Sequence, residues 1–110
     1  MSETTNKIID VTESFEEFIG GKGVAVVDFW ATWCGPCKML APVLEGVAEQ
    51  MPAARFGKVD IDKQPELCEK FRIYAVPNVC IFADGQLVDR VVGLSDESEY
   101  IDQINKYLAK

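Results

Sequence analysis

The chain has 110 residues, of which 48% are hydrophobic and 26% charged, a composition typical of globular proteins rather than disordered ones. This length suits one compact domain, so we expect residues 1–110 to form a single domain. The formal net charge is -7 and the sequence has no basic cluster, which argues against a nucleic-acid partner bound through its phosphate backbone.

The chain begins with a polar segment, residues 1–7, which lacks the apolar stretch of a signal peptide. The longest apolar run, 79–83, is far too short to cross a bilayer. We therefore expect a cytoplasmic protein with no membrane partner. Nothing in the sequence indicates a large second apolar face, so we also expect a monomer.

The first part of the chain predicts two strands around a short helix. Residues 8–11 form a short strand pattern, and 12–19 show helical spacing that stops at Gly20-Gly21. Val24–Trp30 is almost continuous β-branched and aromatic sequence. Such a strand is typically covered on both faces, in the middle of an α/β sheet.

The middle of the chain predicts a long helix, a strand and a short helix. Pro36 can open the long helix because a proline in the first turn loses no hydrogen bond, and the apolar spacing then continues to about Gln50. Residues 55–62 predict a third strand. Pro65 opens a short helix over 65–71.

The last part of the chain predicts a hairpin and a covering helix. Asn78–Ala83 and Gln86–Val92 flank Asp84-Gly85, which is a two-residue hairpin signal. Ser95 is expected to cap a final helix with the apolar face Ile101, Ile104 and Leu108. The order βαβαβαββα predicts an α/β fold with parallel strands joined by helices and then an antiparallel hairpin.

Cys34 and Cys37 stand three residues apart, where the buried strand ends and the long helix begins. In helical geometry this spacing puts their Cα atoms roughly 5 Å apart, which suits a disulfide. Free N–H groups and the helix dipole stabilise a thiolate on Cys34, whereas Cys37 lies one turn further in and keeps its proton longer. A bond across about four residues removes only about 2 kcal/mol of unfolded-chain entropy, so the pair suits a reagent better than a structural link.

Two alternatives to a redox pair remain open from the residues alone. The pair also matches half of a four-cysteine zinc site, but Cys68 and Cys80 are too far apart to form a second CxxC. Pro36 fits a helix start better than a zinc knuckle, and the absence of histidine excludes imidazole ligands and Cys-His catalysis. The other alternative is a binding subunit in which the dithiol is incidental.

The run Trp33-Cys34-Gly35-Pro36-Cys37-Lys38 resembles the active site of the thioredoxin family at every position. The likeness extends over essentially the whole chain, from Val27-Asp28-Phe29-Trp30-Ala31 through Val76-Pro77 to Val92-Gly93. This resemblance implies the thioredoxin fold, in which four helices flank a central mixed five-stranded sheet.

The resemblance also implies a protein-disulfide reductase that needs no bound cofactor and no metal. Cys34 would attack a substrate disulfide, and Cys37 would then attack Cys34 and release the reduced substrate. The Gly-Pro pair between the cysteines resembles reducing members of the family rather than oxidising or isomerising ones. The implied partners are a thioredoxin reductase, which supplies electrons, and oxidised client proteins.

Asp28 is a lone carboxylate among apolar neighbours, so burial should raise its pKa. In a chain without histidine it is a candidate to take the proton from Cys37, and its place six residues before Cys34 matches the family's buried aspartate. The alternative is a salt-bridged strand residue with no catalytic role. Lys58 matches the family's partner lysine and would tune Asp28, unless it is an ordinary exposed lysine.

Pro77 matches the family's cis-proline, which faces the disulfide and presents the backbone of Val76 for strand-like pairing with a substrate peptide. The resemblance further implies a flat apolar surface for protein substrates, formed by Trp33, Gly35, Pro36, Ile61, Val76 and Gly93. The alternative interpretation of Trp33 is a partly buried aromatic residue with a packing role.

Two features depart from the commonest family pattern. Asn78 stands where a small hydroxyl residue often follows the cis-proline. Cys68 and Cys80 are additional thiols, which we interpret as small hydrophobic residues of the third helix and the fourth strand. Regulatory oxidation or a second disulfide is the alternative for these two cysteines.

Overall fold

The fold is described by a computed structural model that covers residues 7–108. Within these residues, one mixed sheet has the spatial strand order β1-β3-β2-β4-β5. The strands are β1 (Ile9–Asp10), β2 (Val24–Trp30), β3 (Arg55–Asp60), β4 (Asn78–Ala83) and β5 (Gln86–Val92). β1 and β2 run parallel to β3, whereas β4 is antiparallel to both β2 and β5. The predicted five-stranded mixed sheet is confirmed.

Four α-helices cover the two faces of this sheet in the described part of the chain: α1 (Phe15–Ile19), α2 (Gly35–Gln50), α3 (Pro65–Lys70) and α4 (Glu97–Leu108). Strand β2 shows why both faces need covering, because its side chains alternate between them. Val24 and Val26 pack with α2 and α4, and Val27 and Phe29 pack with α1 and α3. The near-continuous apolar sequence of β2 reflects this position in the middle of the sheet.

The end of β3 differs from the sequence prediction. We expected a strand over 55–62, but β3 ends at Asp60 and a short 3-10 helix, Ile61–Lys63, follows. The cause is local, since the Asp60 carboxylate accepts the backbone N–H of Asp62 at 3.0 Å and so turns the chain. This turn points Ile61 and Asp62 toward the end of β2.

Several element boundaries also differ from the prediction. β1 is only two residues long, and α1 starts at Phe15 because residues 12–14 form a turn. The final helix is not capped by Ser95. Asp96 takes that place, since its carboxylate accepts the N–H of Glu99 at 3.1 Å and the hydroxyl of Ser98 at 2.9 Å.

The carboxyl ends of the parallel strands β2 and β3 lie at one edge of the sheet, where α2 and the 3-10 helix begin. The start of β4 reaches the same edge, because it runs antiparallel and Asn78 pairs with Phe29. Three connections therefore converge there. No helix among residues 7–108 is both long and apolar enough to span a membrane.

Candidate active site

Cys34 and Cys37 form a disulfide whose Cα atoms are 5.3 Å apart, in agreement with the predicted helical spacing. Cys34 is the N-cap residue of α2, and its sulfur accepts the backbone N–H of Cys37 at 3.2 Å. The turn that leads into the helix is closed by a hydrogen bond from Cys34 N–H to the carbonyl of Ala31. Both cysteines are buried against the sheet edge. The sequence therefore places one sulfur at the N-terminus of a helix and the other within its first turn.

Asp28 lies in β2, and its side chain is only 6% exposed. Burial raises the pKa of its carboxyl to about 7, and the nearby Lys58 ammonium only partly opposes this rise. Its Oδ1 atom has no hydrogen-bond partner among the described residues. A buried carboxyl with an unused oxygen and a pKa near neutrality can both accept and release a proton at physiological pH.

Asp28 and Cys37 line the same small cavity, of about 130 Å³, which is large enough to hold water. The remaining walls are Trp30, Lys38, Ala41 and Lys58. The indole Nε1 of Trp30 is buried and also lacks a hydrogen-bond partner among the described residues. The Lys58 ammonium lies over the Trp30 ring, 5.6 Å from its centroid. The predicted proton acceptor, its lysine and the predicted resolving sulfur are thus brought together.

The exposed surface beside the disulfide centres on Trp33, which is 66% exposed. Its indole Nε1 donates to Oδ2 of Asp62 at 2.9 Å, so the ring is held although it faces solvent. Ile61 and Val76 pack against the two cysteines and Ala31. Three of the residues predicted for the apolar surface, Trp33, Ile61 and Val76, line one groove.

The other predicted surface residues are placed differently. Gly35 and Pro36 are exposed in the first turn of α2, directly between the cysteines. The Val76–Pro77 peptide bond is cis, and Pro77 itself is buried. The Pro77 carbonyl accepts the N–H of Gly93 at 2.8 Å, which brings Gly93 to this segment. Gly93 has a positive φ of 91°, a conformation that glycine adopts without steric cost.

A groove of about 290 Å³ runs beside Trp33, and three of its lining residues were not predicted from the sequence. They are Ile73, Tyr74 and Ala75, which join Ile61 and Val76. Tyr74 is 79% exposed, so a second aromatic side chain of this groove stands in solvent. The sequence could have indicated Tyr74, because it is a large aromatic residue just before Val76-Pro77. It could not have indicated Asp62, because the hydrogen bond of Asp62 with Trp33 depends on the turn after β3.

The two additional cysteines are free and belong to the α1/α3 side of the core. Cys80 donates its thiol hydrogen to Oδ1 of the buried Asn78, with 3.5 Å between the two atoms. Burial raises the pKa of the Cys80 thiol to about 12, and it also raises that of half-buried Cys68. No group of three or more histidine, cysteine, aspartate or glutamate residues within 7–108 is arranged to hold a metal ion.

Comparison with known proteins identifies the family. The sequence model of the thioredoxin family matches residues 6–106. A thioredoxin of Staphylococcus haemolyticus is 45% identical over 103 residues, covering 92% of this chain and 98% of that protein. A thioredoxin of Chlamydia caviae is 44% identical over 95 residues, covering 86% of this chain and 92% of that protein.

Solved structures agree with these relatives. A thioredoxin from Nicotiana alata superimposes with a TM-score of 0.85 at 31% identity, covering 98% of both chains. A mutant thioredoxin from Halobacterium salinarum gives a TM-score of 0.83 at 34% identity, covering 97% of this chain and 96% of that one. Thioredoxins act with thioredoxin reductase and with client proteins. The chain belongs to the thioredoxin family and is a thiol–disulfide oxidoreductase.

Proposed function

We propose that this chain reduces protein disulfides, with Cys34 as the attacking sulfur, Cys37 as the resolving sulfur and Asp28 as the proton acceptor. The observation that carries the assignment is the asymmetry between the two cysteines. Cys34 caps α2 and accepts the N–H of Cys37, whereas Cys37 borders the cavity of Asp28. One sulfur is stabilised as a thiolate, and the other has a neighbouring base.

The first step forms a mixed disulfide. The Cys34 thiolate attacks one sulfur of the client disulfide, so that a Cys34–client bond forms and the client's own S–S bond breaks. The second client sulfur leaves as a thiolate and takes a proton from solvent. The N–H groups at the start of α2 favour the reactive thiolate, since a hydrogen bond to a charged acceptor is stronger than one to a neutral sulfur.

The second step releases the client. Cys37 passes its proton to Asp28 across the shared cavity, and its thiolate attacks the sulfur of Cys34. The Cys34–Cys37 bond forms, the mixed disulfide breaks, and the departing client thiolate is protonated. Two electrons have then moved from the dithiol to the client disulfide. Because both sulfurs belong to one turn of chain, this step is intramolecular and gains its rate from proximity.

The client is proposed to dock on the surface around Trp33, Gly35, Pro36, Ile61, Val76 and Gly93, with the backbone of Val76 available to an extended peptide. Support comes from the exposure of Trp33, the groove beside it, and the absence of backbone hydrogen bonds at positions 74–76 among the described residues. Lys58 is proposed to tune the pKa of Asp28, and Pro77 is proposed to lie beside the disulfide.

A thioredoxin reductase is the proposed source of electrons for the spent disulfide, as in the rest of the family. We also place the protein in a reducing compartment, the cytoplasm. Free Cys68 and Cys80 support this placement, since unpaired cysteines of this kind are typical of reducing surroundings. Fractionation of cells that produce the chain, with detection of it in the cytosolic fraction, tests the location.

The function is tested by reduction of insulin with NADPH and a thioredoxin reductase. The wild-type chain is expected to catalyse NADPH consumption, and Cys34→Ser should abolish it. Cys37→Ser should accumulate a mixed disulfide with the client, visible by non-reducing electrophoresis. Cys68→Ser is the matched control, because it removes a thiol outside the site.

The direction of electron transfer is tested by a redox titration against glutathione. A reducing protein should remain largely oxidised until the thiol excess is high. Full activity of Cys34→Ser, or a strongly oxidising midpoint in the titration, contradicts the proposal.

A further inference from the structure

The segment 73–76, between α3 and β4, forms one wall of the groove beside the disulfide. It belongs to no helix or strand, and among the described residues no backbone hydrogen bond involves positions 74–76. Its free N–H and C=O groups suit pairing with an extended client peptide. The side chains of Ile73 and Val76 pack into the core, that of Val76 also against the two active-site cysteines, and the backbone of this wall is held by the contacts at its two ends.

The N-terminal end of the wall is fixed first by the end of α3. Ile73 donates its N–H to the carbonyl of Cys68 at 2.8 Å, and Arg72 donates to that of Glu69 at 3.3 Å. Arg72 has a φ of 57°, so the helix ends in a Schellman motif with an arginine at the left-handed position. This motif leaves the carbonyls of Phe71 and Arg72 without a partner in the helix.

Arg90, which lies in β5, donates hydrogen bonds to both of these carbonyls. Its Nη2 donates to the carbonyl of Phe71 at 2.7 Å and its Nη1 to that of Arg72 at 3.2 Å. A guanidinium with two parallel donors fixes direction as well as distance, because its fork is planar and rigid. The side chain thus ties the start of the wall to the sheet.

The C-terminal end of the wall is tied to the same part of the chain. Gly93, which directly follows β5, donates its N–H to the carbonyl of Pro77 at 2.8 Å. Arg90 and Gly93 are three residues apart, so one short segment holds both ends of the wall.

We propose that Arg90 is a positioning residue for client docking: it holds the wall 73–76 at the distance from Cys34 at which an extended client peptide can pair with it. The inference rests on the proposed reduction of protein disulfides at this site. Arg90 touches neither sulfur, so it acts only through the wall.

This role predicts a dependence on the kind of substrate. A protein disulfide must lay its chain along the wall, so a displaced wall slows the attack. A small disulfide such as 2-hydroxyethyl disulfide has no chain to pair and needs only access to Cys34. Loss of Arg90 should therefore lower the ratio of the second-order rate constants for insulin and for the small disulfide.

The chain offers a matched control in Arg55. Its guanidinium also binds backbone carbonyls, at the end of α1 and in the loop that follows. It donates to the carbonyl oxygens of Phe18 at 3.2 Å, Lys22 at 2.9 Å and Gly20 at 3.4 Å. Arg55 lies at the opposite end of the sheet, since it pairs with Ala25 near the start of β2. Arg55→Ala tests the loss of a comparable structural clamp away from the disulfide.

The experiment measures the rate ratio for the wild-type chain, Arg90→Ala, Arg90→Lys and Arg55→Ala, at a temperature where each is folded. Arg90→Ala is expected to lower the ratio about tenfold, with the redox midpoint unchanged. Arg90→Lys, which keeps the charge but reaches only one carbonyl, should lower it about threefold. Arg55→Ala should leave the ratio at the wild-type value.

The inference is overturned if the ratio stays within about twofold of wild type in Arg90→Ala, or if Arg55→Ala lowers it equally. If Arg90→Ala does not fold, Arg90→Lys decides by the same ratio, and an unchanged value overturns the inference. A wild-type chain that reduces neither disulfide refutes the proposed function itself, whereas one that reduces both without a change of ratio in the variants refutes only the role of Arg90.

Discussion

Asp28 and Lys58 lie directly opposite each other in the register of β2 and β3, yet their side chains form no ion pair among the described residues. The Lys58 ammonium lies over the ring of Trp30 instead. The alternative role of Asp28 as a salt-bridged strand residue is therefore not what the structure shows. A carboxyl left in the core without a partner costs stability whenever it is charged.

The cost of the Asp28 charge predicts how Asp28→Asn changes stability with pH. The folded-state pKa of Asp28 is about 7, against an ordinary value of 3.8. Below about pH 4 the carboxyl is neutral in both states, so its burial costs nothing there; as the pH rises from about 4 to about 7 the unfolded state ionises first and the folded state loses stability. The asparagine variant should therefore unfold with a similar free energy at pH 4 and be more stable by up to about 4 kcal/mol above pH 7.

Urea unfolding of the oxidised forms between pH 4 and pH 8 measures this difference. Asp102→Asn is a suitable control, since Asp102 is exposed in α4, away from the disulfide, and its replacement tests only the loss of a surface charge. Parallel pH profiles for the wild-type chain and Asp28→Asn would mean that Asp28 is not buried as a titrating group.

A second prediction concerns Lys58. Its charge lowers the pKa of Asp28 and so opposes the effect of burial. Lys58→Met should raise the titration midpoint of the Asp28 carboxyl by about one pH unit, measured from its carbon-13 chemical shift. Lys106→Met, in the last turn of α4, should leave that midpoint in place. A midpoint that falls, or that responds equally to both variants, argues against electrostatic tuning by Lys58.

Much of the sheet was predictable from the sequence because its signals are local. The bounds of β2, β4 and β5 agree with their apolar runs and with the Asp84-Gly85 turn. The end of β3 was not predictable, since the run of alternating residues continues to Asp62 while the Asp60 carboxylate turns the chain. In that case a side-chain hydrogen bond overrides the strand pattern.

The active site likewise has features that could be predicted from the sequence and features that could not. The spacing of Cys34 and Cys37 and the place of Asp28 follow from short sequence distances, so their arrangement could be predicted. The contacts of Asp62 with Trp33 and of Arg90 with the end of α3 join residues far apart in sequence. Such contacts depend on how the strands are paired, and a single sequence contains no local pattern that specifies them.

Arg72 and Asp84 provide a paired test of backbone strain. Both have positive φ values, 57° and 53°, in a region that costs a side chain about 1 kcal/mol. No hydrogen bond of the Arg72 side chain is present among the described residues, so Arg72→Gly should raise the free energy of unfolding by up to about 1 kcal/mol.

Asp84→Gly is expected to behave differently. The Asp84 carboxylate accepts the N–H of Gly23 at 2.8 Å, and a glycine loses that bond. Relief of strain and loss of a charged hydrogen bond oppose each other, so stability should stay level or fall by about 1 kcal/mol. Thermal unfolding of both variants checks the pair. A loss of stability in Arg72→Gly would show that position 72 is not strained.

The last prediction concerns the order in which the thiols of the reduced protein react. A thiol with a pKa of about 12 is ionised in only about one molecule in 100,000 at pH 7, so Cys80 should not react with iodoacetamide while the protein is folded. The pKa of Cys68 is also raised, by burial and by Asp62, so it should react slowly despite its partial exposure. Cys34 should be carbamidomethylated first, because its sulfur lies at the start of α2.

Mass spectrometry of peptides after timed alkylation at pH 7 establishes this order, and alkylation in urea is the control that should make Cys80 react like an ordinary thiol. Early labelling of Cys80 or Cys68 would instead identify a reactive second thiol and favour regulatory oxidation.

A variant of Asn78 separates two possible causes of the high pKa of Cys80, which are burial and the hydrogen bond from its thiol to Asn78. Asn78→Ala removes the acceptor without exposing the sulfur, so Cys80 should remain unlabelled if burial, rather than this hydrogen bond, keeps its pKa high.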